Sequence, residues 1–326
     1  MNQALLARAC AAALALVACF SPAHAQEPWP SKPVRFIVPS NAGGSPDRVT
    51  RLIAERLARK WGQPTLVENK AGATSIIGTE YVAKSAPDGY TLLSTFTSFV
   101  QVPALFKRLP YDTERDLVPV TQTVGVDVLF LVRADSPYKS LREFAAAAKT
   151  AKPPMSYGSF GNGSSFHIYG EKLRAALGID LTHVPYKGEL PSTTDLLGGQ
   201  LSSSFASIGT ALPFLKDGRL RALGVASAQR SSVLPDIPTL AEQGVRLPEA
   251  TGWFGILAPA GTPPAVVQKI ALDVREVLAQ PEVAKTLRDQ GLEPVASTPQ
   301  AFQTRLRSDL AQWKQLLPEV GINPAD

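Results

Sequence analysis

The sequence predicts an α/β fold of two domains, each a doubly wound sheet flanked by helices. Strand and helix patterns alternate over residues 34–93, and this order implies a parallel sheet. A second alternating unit covers residues 128–226, and an apolar strand at residues 253–257 returns the chain to the first sheet. We therefore predict that two strands cross between the domains at a hinge, and that a cleft lies between them.

The best-defined element is the strand, loop and helix of residues 34–61. Val34–Val38 is β-branched and aromatic and precedes a proline, which is typical of a buried strand. The glycine loop of residues 40–45 follows, and Ser45-Pro46-Asp47 is typical of a helix start with serine as the cap. Such a loop presents backbone N–H groups where an anion can bind, although the glycines could also form only a tight turn.

Further short strands and helices complete the first unit. A strand is expected at residues 64–68, a helix at residues 75–84 and a strand at residues 90–93. Because ligands bind beyond the carboxyl ends of parallel strands, the loops at residues 40–45, 69–73 and 94–98 should meet at one rim.

The second unit repeats the pattern of the first. A short strand at residues 155–157 leads into Gly158-Ser159-Phe160-Gly161-Asn162-Gly163-Ser164-Ser165, and a helix follows. This loop holds part of a dinucleotide fingerprint, but Phe166 occupies the third glycine position, so that signal is weak. The loop could also be a flexible surface loop. Two glycine-serine loops on one cleft would suit a ligand that carries one or two carboxylates.

The first 25 residues have the pattern of a secretory signal peptide. Arg8 precedes an apolar run, and Ala23-His24-Ala25 is a small-residue cleavage site. An alternative is a lipobox that would lipidate Cys19. We predict cleavage after Ala25 and a periplasmic protein. Domain 1 would then comprise residues 26–127 plus 252–326, and domain 2 residues 128–251.

The composition argues against several classes of protein. Both cysteines, Cys10 and Cys19, lie in the signal segment, and only His167 and His183 would remain in the mature chain. No disulfide, thiolate nucleophile, metal site or cofactor is therefore expected. The mature chain would carry 32 basic and 28 acidic residues in an interspersed pattern, which argues against nucleic acid. We expect a monomer.

Ten sequence blocks cover nearly the whole mature length. They lie at residues 29–35, 62–64, 67–73, 86–92, 109–112, 183–188, 194–200, 218–223, 234–239 and 253–263, and include Ala-Pro-Asp-Gly-Tyr-Thr-Leu at residues 86–92 and His-Val-Pro-Tyr-Lys-Gly at residues 183–188. With these blocks the chain resembles the Bug-type periplasmic solute-binding proteins of tripartite tricarboxylate transporters. The resemblance implies a Venus flytrap receptor without enzymatic activity that hands a small carboxylate to membrane subunits.

The resemblance also implies which segments hold the ligand. Two loops would bind its carboxylate through backbone amides and hydroxyls, and a third segment follows a strand of the second domain. The implied ligand-binding residues are Ser40, Asn41, Ala42, Gly43, Gly44 and Ser45 in the first loop, Ser159, Asn162, Gly163, Ser164 and Ser165 in the second loop, and Ala206 and Ser207 in the third segment.

Two departures from the family pattern bear on the ligand. The first loop usually begins Pro-Phe-Pro-Pro, but here Ser40 and Asn41 follow the first proline, so a phenylalanine wall is lost. The third segment often carries a Phe-Asp pair, but Ala206 takes the aspartate position, so we expect no carboxylate for a ligand ammonium. A dicarboxylate or an aromatic carboxylate is expected instead. Trp253 and Phe160 could be walls of the site or parts of the core.

Three other residues have structural interpretations. We expect a structural hydrogen bond for His167, a solvated side chain for Lys187 and helix capping for Asp47. Two other functions stay open, a receptor that reports to a membrane sensor and an exported α/β enzyme. Against the enzyme, the chain has no Gly-x-Ser-x-Gly elbow, P-loop or His-Glu-x-x-His motif.

Overall fold

The computed structural model describes residues 29–247, 252–319 and 321. The signal peptide, both cysteines and the cleavage after Ala25 lie outside the described residues. The described residues from Lys32 onward form one compact unit, and this unit contains all of their strands and helices.

The described residues form eleven strands in two sheets. The strands are β1 (Val34–Val38), β2 (Thr65–Asn69), β3 (Thr91–Phe96), β4 (Leu117–Val126), β5 (Val128–Arg133), β6 (Met155–Ser159), β7 (Leu181–Pro185), β8 (Ser203–Ser207), β9 (Leu220–Val225), β10 (Gly252–Pro259) and β11 (Leu292–Pro294). The first sheet has the order β11-β4-β10-β3-β1-β2, and the second has the order β7-β6-β8-β5-β9.

Ten α-helices of the described residues flank these sheets. They are α1 (Ser45–Trp61), α2 (Ile76–Ala83), α3 (Ser98–Leu105), α4 (Leu141–Ala148), α5 (Ser165–Leu177), α6 (Glu189–Leu197), α7 (Ile208–Lys216), α8 (Pro264–Leu278), α9 (Pro281–Asp289) and α10 (Pro299–Glu319). Helix α1, for example, buries an apolar stripe of Val49, Ile53 and Leu57. None of the helices in this part of the chain is long and apolar enough to cross a membrane.

Both sheets are mixed rather than purely parallel. In the first sheet, β1 pairs in parallel with β2 and β3, whereas β10 runs antiparallel to β3 and β4. In the second sheet, β6 is parallel to β7 and β8, whereas β5 is antiparallel to β8 and β9. The prediction of a parallel sheet holds for the doubly wound part and is wrong for the strands that cross between the sheets.

The chain passes between the two sheets by a short route. Strand β4 of the first sheet ends at Val126 and β5 of the second begins at Val128, so Asp127 alone joins them. The chain returns to the first sheet at Gly252, where β10 begins. We call residues 32–127 and 252–319 the first lobe and residues 128–247 the second lobe. The domain limits expected from the sequence stay a prediction.

Three elements were not expected from the sequence, namely α3, β4 and β11. The predicted loop at residues 94–98 is wrong, because β3 continues to Phe96 and α3 begins at Ser98. Helix α3 contains Pro103, and β4 contains Pro119 and a glycine, which are poor signals for a helix and a strand respectively.

Candidate ligand-binding site

The first loop reaches α1 in a way that differs from the expectation. Gly44 is the N-cap residue and makes no side-chain cap, and Ser45 is already helical. The prediction that Ser45 caps the helix is therefore wrong. The Asp47 carboxylate instead accepts a hydrogen bond from the Gly43 N–H, one residue before the N-cap, at 2.8 Å.

Asp47 is buried beneath the first loop and bound on several sides. It accepts hydrogen bonds from Arg51 Nε at 3.1 Å and from Asn69 Nδ2 at 3.0 Å. Burial alone would raise the pKa of the Asp47 carboxyl, but hydrogen bonds from Arg51, Gly43 and Asn69 hold it below its ordinary value. Asp47 therefore binds the loop before α1 rather than an amide of the helix, so the capping role expected for Asp47 stays a prediction, and the Gly43 amide is already engaged by it.

The remaining first-loop groups differ in exposure. Asn41, Ala42 and Gly43 are exposed, and the backbone at Gly43 is left-handed with a φ of +80°. The Ser40 hydroxyl is buried and has no hydrogen-bond partner among the described residues. The Ser40 carbonyl accepts from Asn69 Nδ2 at 3.1 Å, which ties the loop to the end of β2.

The second loop uses two of its serines to hold its own shape. Ser164 is the N-cap of α5, and its hydroxyl donates to the Gly161 carbonyl at 2.6 Å. The Ser159 hydroxyl lies 3.1 Å from the Gly161 nitrogen and 2.7 Å from His183 Nε2. Gly161 and Gly163 have φ angles of +140° and +74°, which favour glycine at both positions.

The two histidines lie together under this loop. His167 Nδ1 accepts a hydrogen bond from the Gly163 N–H at 3.1 Å, which confirms the structural role expected for His167. The His167 and His183 rings stack at a centroid distance of 3.8 Å and an angle of 7°. Burial lowers the pKa of both imidazoles, and burial together with the neighbouring His167 lowers the pKa of His183 to about 4. Both rings are therefore neutral at neutral pH.

A cavity of about 100 Å³ lies between the lobes. Its apolar wall is aromatic and consists of Phe96, Phe160, Phe166, Tyr169, Trp253 and Phe254. Its polar groups come from Thr97, Ser98, Gln101, Ser165, Glu189 and Ser207. An aromatic wall with a few polar side chains is the composition typical of a small-molecule site.

The cavity gathers only some of the predicted site residues. Ser165 and Ser207 line it, and so do the expected walls Phe160 and Trp253. Trp253 also belongs to the core, since it is fully buried and its indole N–H donates to Asp309 at 2.9 Å.

The other predicted residues lie elsewhere. Asn162 and Lys187 are exposed, the latter as expected, and Ala206 is fully buried in the core of the second lobe. None of the described cavity-lining residues belongs to the first loop, so its part in binding stays a prediction.

Two polar groups of the cavity were missed in the sequence. Gln101 of α3 is 3% exposed, and its Nε2 has no hydrogen-bond partner among the described residues. Glu189 begins α6, and its Oε2 accepts from the Ser207 N–H at 3.1 Å, the Ser207 hydroxyl at 2.7 Å and the Thr210 hydroxyl at 2.9 Å. A carboxylate is thus present at the third segment, and the expectation that Ala206 leaves none there is wrong.

A usable signal existed for one of these two groups. Glu189 comes shortly after the end of β7 and directly after Gly188, which has a φ of +123°. Ligands bind beyond the carboxyl ends of parallel strands, so this position was a candidate for the site. Gln101 lay within a helix that the sequence pattern did not reveal. The described residues contain no cluster of three or more histidine, cysteine or acidic side chains able to hold a metal ion.

The chain passes twice between two mixed sheets, and a cavity with aromatic and polar side chains lies between the lobes. This architecture is that of a periplasmic solute-binding protein. The chain belongs to the tripartite tricarboxylate transporter receptor family, whose sequence model matches residues 49–322. It is therefore a solute receptor rather than an enzyme, as the resemblance implied.

Relatives of known sequence match over nearly the full length. The chain is 33% identical over 295 residues to the protein BugT of Bordetella pertussis, covering 90% of each chain. It is 35% identical over 321 residues to a UPF0065 protein of Bordetella bronchiseptica, covering 98% of this chain and 95% of the relative.

Solved structures confirm the predicted two-domain fold. A structure described as a periplasmic transporter has a TM-score of 0.80 at 37% identity and covers 90% of this chain and 99% of its own. A Rhodopseudomonas palustris protein solved with adipate has a TM-score of 0.81 at 32% identity, covering 91% of this chain and 100% of its own. MatC from the same organism, with bound malate, has a TM-score of 0.76 at 32% identity, covering 89% and 100%.

Proposed function

We propose that this chain is an extracytoplasmic receptor that binds one small organic carboxylate in the cavity between its lobes. It then delivers that ligand to the membrane subunits of a tripartite tricarboxylate-type transporter. The observation that carries the proposal is Gln101, a cavity-lining residue whose buried Nε2 has no hydrogen-bond partner among the described residues. A buried donor without a partner is costly, and a bound acceptor such as a carboxylate would satisfy it.

The surroundings of Gln101 also suit a carboxylate. Thr97 and Ser98 line the same cavity, and Ser165 brings the first turn of α5 to it. A helix N-terminus carries a partial positive charge that favours an anion. In our proposal, backbone amides of the first and second loops also bind the ligand carboxylate when the lobes close.

The aromatic wall defines which carboxylates fit. Six aromatic side chains line the cavity, so the body of the ligand is apolar or a flat ring. We propose an aromatic carboxylate or a dicarboxylate, the two classes expected from the sequence. Adipate and malate in the two R. palustris relatives are both dicarboxylates, which supports small organic acids in general.

The location follows the same proposal. The signal segment before residue 26 would export the chain to the periplasm, with cleavage after Ala25. The receptor would act there as a monomer, since hinge closure around one ligand needs no second copy.

The test of the proposal compares Gln101→Leu with wild type by calorimetry. The panel contains benzoate, 4-hydroxybenzoate, 4-aminobutyrate, succinate and adipate. A hydrogen bond to a charged group contributes about 1.5–3 kcal/mol, so the affinity for the acid that binds best should fall at least about tenfold. Gln303→Leu, an exposed glutamine on α10, is the matched control and should bind as wild type does.

Two results would contradict the proposal. One is the absence of binding by any acid of the panel to wild-type protein. The other is an equal affinity of the Gln101→Leu variant and wild type, because the buried amide would then make no contact with the ligand.

A further inference from the structure

Glu189 is the one acidic side chain among the described residues that line the cavity, and the helix packing fixes its position. Its Oε2 accepts three hydrogen bonds, from the Ser207 N–H, the Ser207 hydroxyl and the Thr210 hydroxyl, at 2.7 to 3.1 Å. These donors hold one oxygen of the carboxylate at the start of α7. No described residue donates to Oε1, so that oxygen remains available as an acceptor.

No basic side chain among the described residues that line the cavity balances the negative charge of Glu189. The N-terminus of α7, on the side of Ser207, favours the negative charge of Glu189. The described lining residues include neither lysine nor arginine, so no protein cation stands between Glu189 and a ligand. A second ligand carboxylate at this place would meet a like charge without compensation.

Gln101 and Glu189 come from opposite lobes and have opposite hydrogen-bonding roles. Gln101 of α3 in the first lobe offers a donor, and Glu189 of α6 in the second lobe offers an acceptor. Aromatic side chains form the wall of the cavity that they share. A ligand that satisfies both groups carries an acceptor at one end and a donor at the other.

We propose that Glu189 is the specificity-determining residue of this receptor. It selects carboxylates that bear a hydrogen-bond donor, a hydroxyl or an ammonium, at the end remote from the bound carboxylate, and it rejects dicarboxylates. This inference rests on the proposed function and narrows its ligand class. A purely structural Glu189 would instead hold Ser207 in place without any effect on ligand choice.

The variant Glu189→Gln separates these two roles. Glutamine keeps an oxygen that can accept from Ser207 and Thr210, but it removes the negative charge. The matched control is Glu143→Gln in the same lobe, because the Glu143 carboxylate also accepts from a backbone N–H, that of Lys139 at 2.7 Å, and does not line the cavity.

The experiment is calorimetry of each purified protein with two sets of three acids. The ring set is benzoate, 4-hydroxybenzoate and terephthalate, and the chain set is butyrate, 4-aminobutyrate and succinate. Wild type should bind the donor-bearing acid of at least one set at least about tenfold more tightly than its parent, and the dicarboxylate most weakly. The ring and chain sets distinguish a hydroxyl donor from an ammonium donor.

The Glu189→Gln variant should lose about tenfold in affinity for the preferred acid and gain affinity for the dicarboxylate, whereas Glu143→Gln should behave as wild type does. Affinity for the parent acid and an unchanged melting temperature report that the variant is folded. If the variant does not fold, Thr210→Val, which removes one anchor of the carboxylate, should reduce the same preference.

The outcomes separate the inference from the proposed function. A wild-type preference for the dicarboxylate, or the same ranking in the Glu189→Gln variant, overturns the inference and leaves the receptor of carboxylates in place. Failure of all six acids to bind wild type overturns the proposed function itself and the inference with it.

Discussion

At the scale of single residues, two buried polar side chains behave in opposite ways. Asp47 is satisfied by protein groups on several sides and stabilises the first loop and α1. Gln101 has a buried nitrogen without a partner among the described residues, which reduces the stability of the ligand-free protein. The first is a structural residue near the expected anion loop, and the second is the group that a ligand would satisfy.

Replacement of Asp47 by alanine should destabilise the fold without touching the cavity. The change leaves the Gly43 N–H without its charged acceptor and the half-exposed Arg51 without its pair, and the loss of a hydrogen bond to a charged group costs about 1.5–3 kcal/mol. Urea unfolding measures this difference in the free energy of unfolding. Glu55→Ala, which breaks the exposed pair with Arg59, should change it by less than about 1 kcal/mol.

Because the pKa of Asp47 is lowered in the folded chain, its contribution to the free energy of unfolding depends on pH. The unfolded chain binds this proton at a higher pH than the folded chain, so the contribution is complete above the ordinary pKa. It is lost as the pH falls through the lower folded value. An Asp47→Ala variant as stable as wild type at neutral pH would contradict the assigned role.

At the scale of elements, the second loop depends on a left-handed backbone held against the first lobe. A Cβ built at Gly163, where φ is +74°, would lie 2.6 Å from Leu105 Cδ2 of α3. The loop therefore touches the opposite lobe at the N-terminus of α5. The conformation of the second loop therefore affects how closely the two lobes approach each other around the cavity.

Gly163→Ala should therefore weaken ligand binding by about tenfold in addition to destabilising the protein by about 1–2 kcal/mol. Gly178→Ala is a matched control, since Gly178 is also left-handed at +59° but a Cβ there meets nothing within 4 Å. The control should lose similar stability and keep its affinity. Calorimetry and urea unfolding of both variants test this link, and equal affinities would rule it out.

The histidine pair makes the second loop sensitive to acid. Protonated His167 could no longer accept from the Gly163 N–H, and the stacked His183 lies against it. Tyr157 stacks on His183 and donates to Glu171, whose charge raises the pKa of both histidines against the effect of burial. The loop should therefore hold its shape at neutral pH and lose it when the rings gain protons.

The sign of the pH effect follows from the lowered pKa values. In the unfolded chain His183 binds a proton near pH 6.5, whereas in the folded chain its pKa is about 4. The free energy of unfolding therefore falls as the pH drops from 6.5 to 4. Urea unfolding across this range measures the effect. A His183→Gln variant should show a shallower slope between these limits, and an unchanged slope would contradict the assignment.

At the scale of the whole molecule, the lobes are joined by a short connection and meet at several contacts. Asp127 alone links β4 to β5, and the Lys172 ammonium pairs with Glu319 across the lobes. Ser232 donates to Glu293 at 2.8 Å in another contact of this kind. Both of these contacts are partly exposed, so they can open when a ligand leaves.

Closure should therefore depend on the Lys172–Glu319 pair. Lys172→Glu places like charges together and should lower ligand affinity by about threefold, since exposed pairs contribute up to about 1 kcal/mol. The double exchange Lys172→Glu with Glu319→Lys should restore it. Small-angle scattering should show a smaller radius with ligand than without, and identical radii would argue against hinge closure.

Much of the fold could be predicted because local patterns were strong. The apolar run Val34–Val38 is a strand with the expected bounds, and the glycine-serine loop before α5 lies at a helix start as expected. The antiparallel pairing of β10 with β3 and β4 could not be predicted, since it joins residues about 130 to 160 positions apart. Pro103 concealed α3, and with it Gln101.

The sequence by itself determined the α/β class, the two glycine loops, the family and the absence of cysteine after residue 19. Only the tertiary structure decided which polar groups are engaged and which are free. Asp47 takes the Gly43 amide, and Glu189 meets Ser207 from 18 residues away. The reason is physical: propensities and turn chemistry act over a few neighbouring residues, whereas partners in a cavity are chosen by packing between elements.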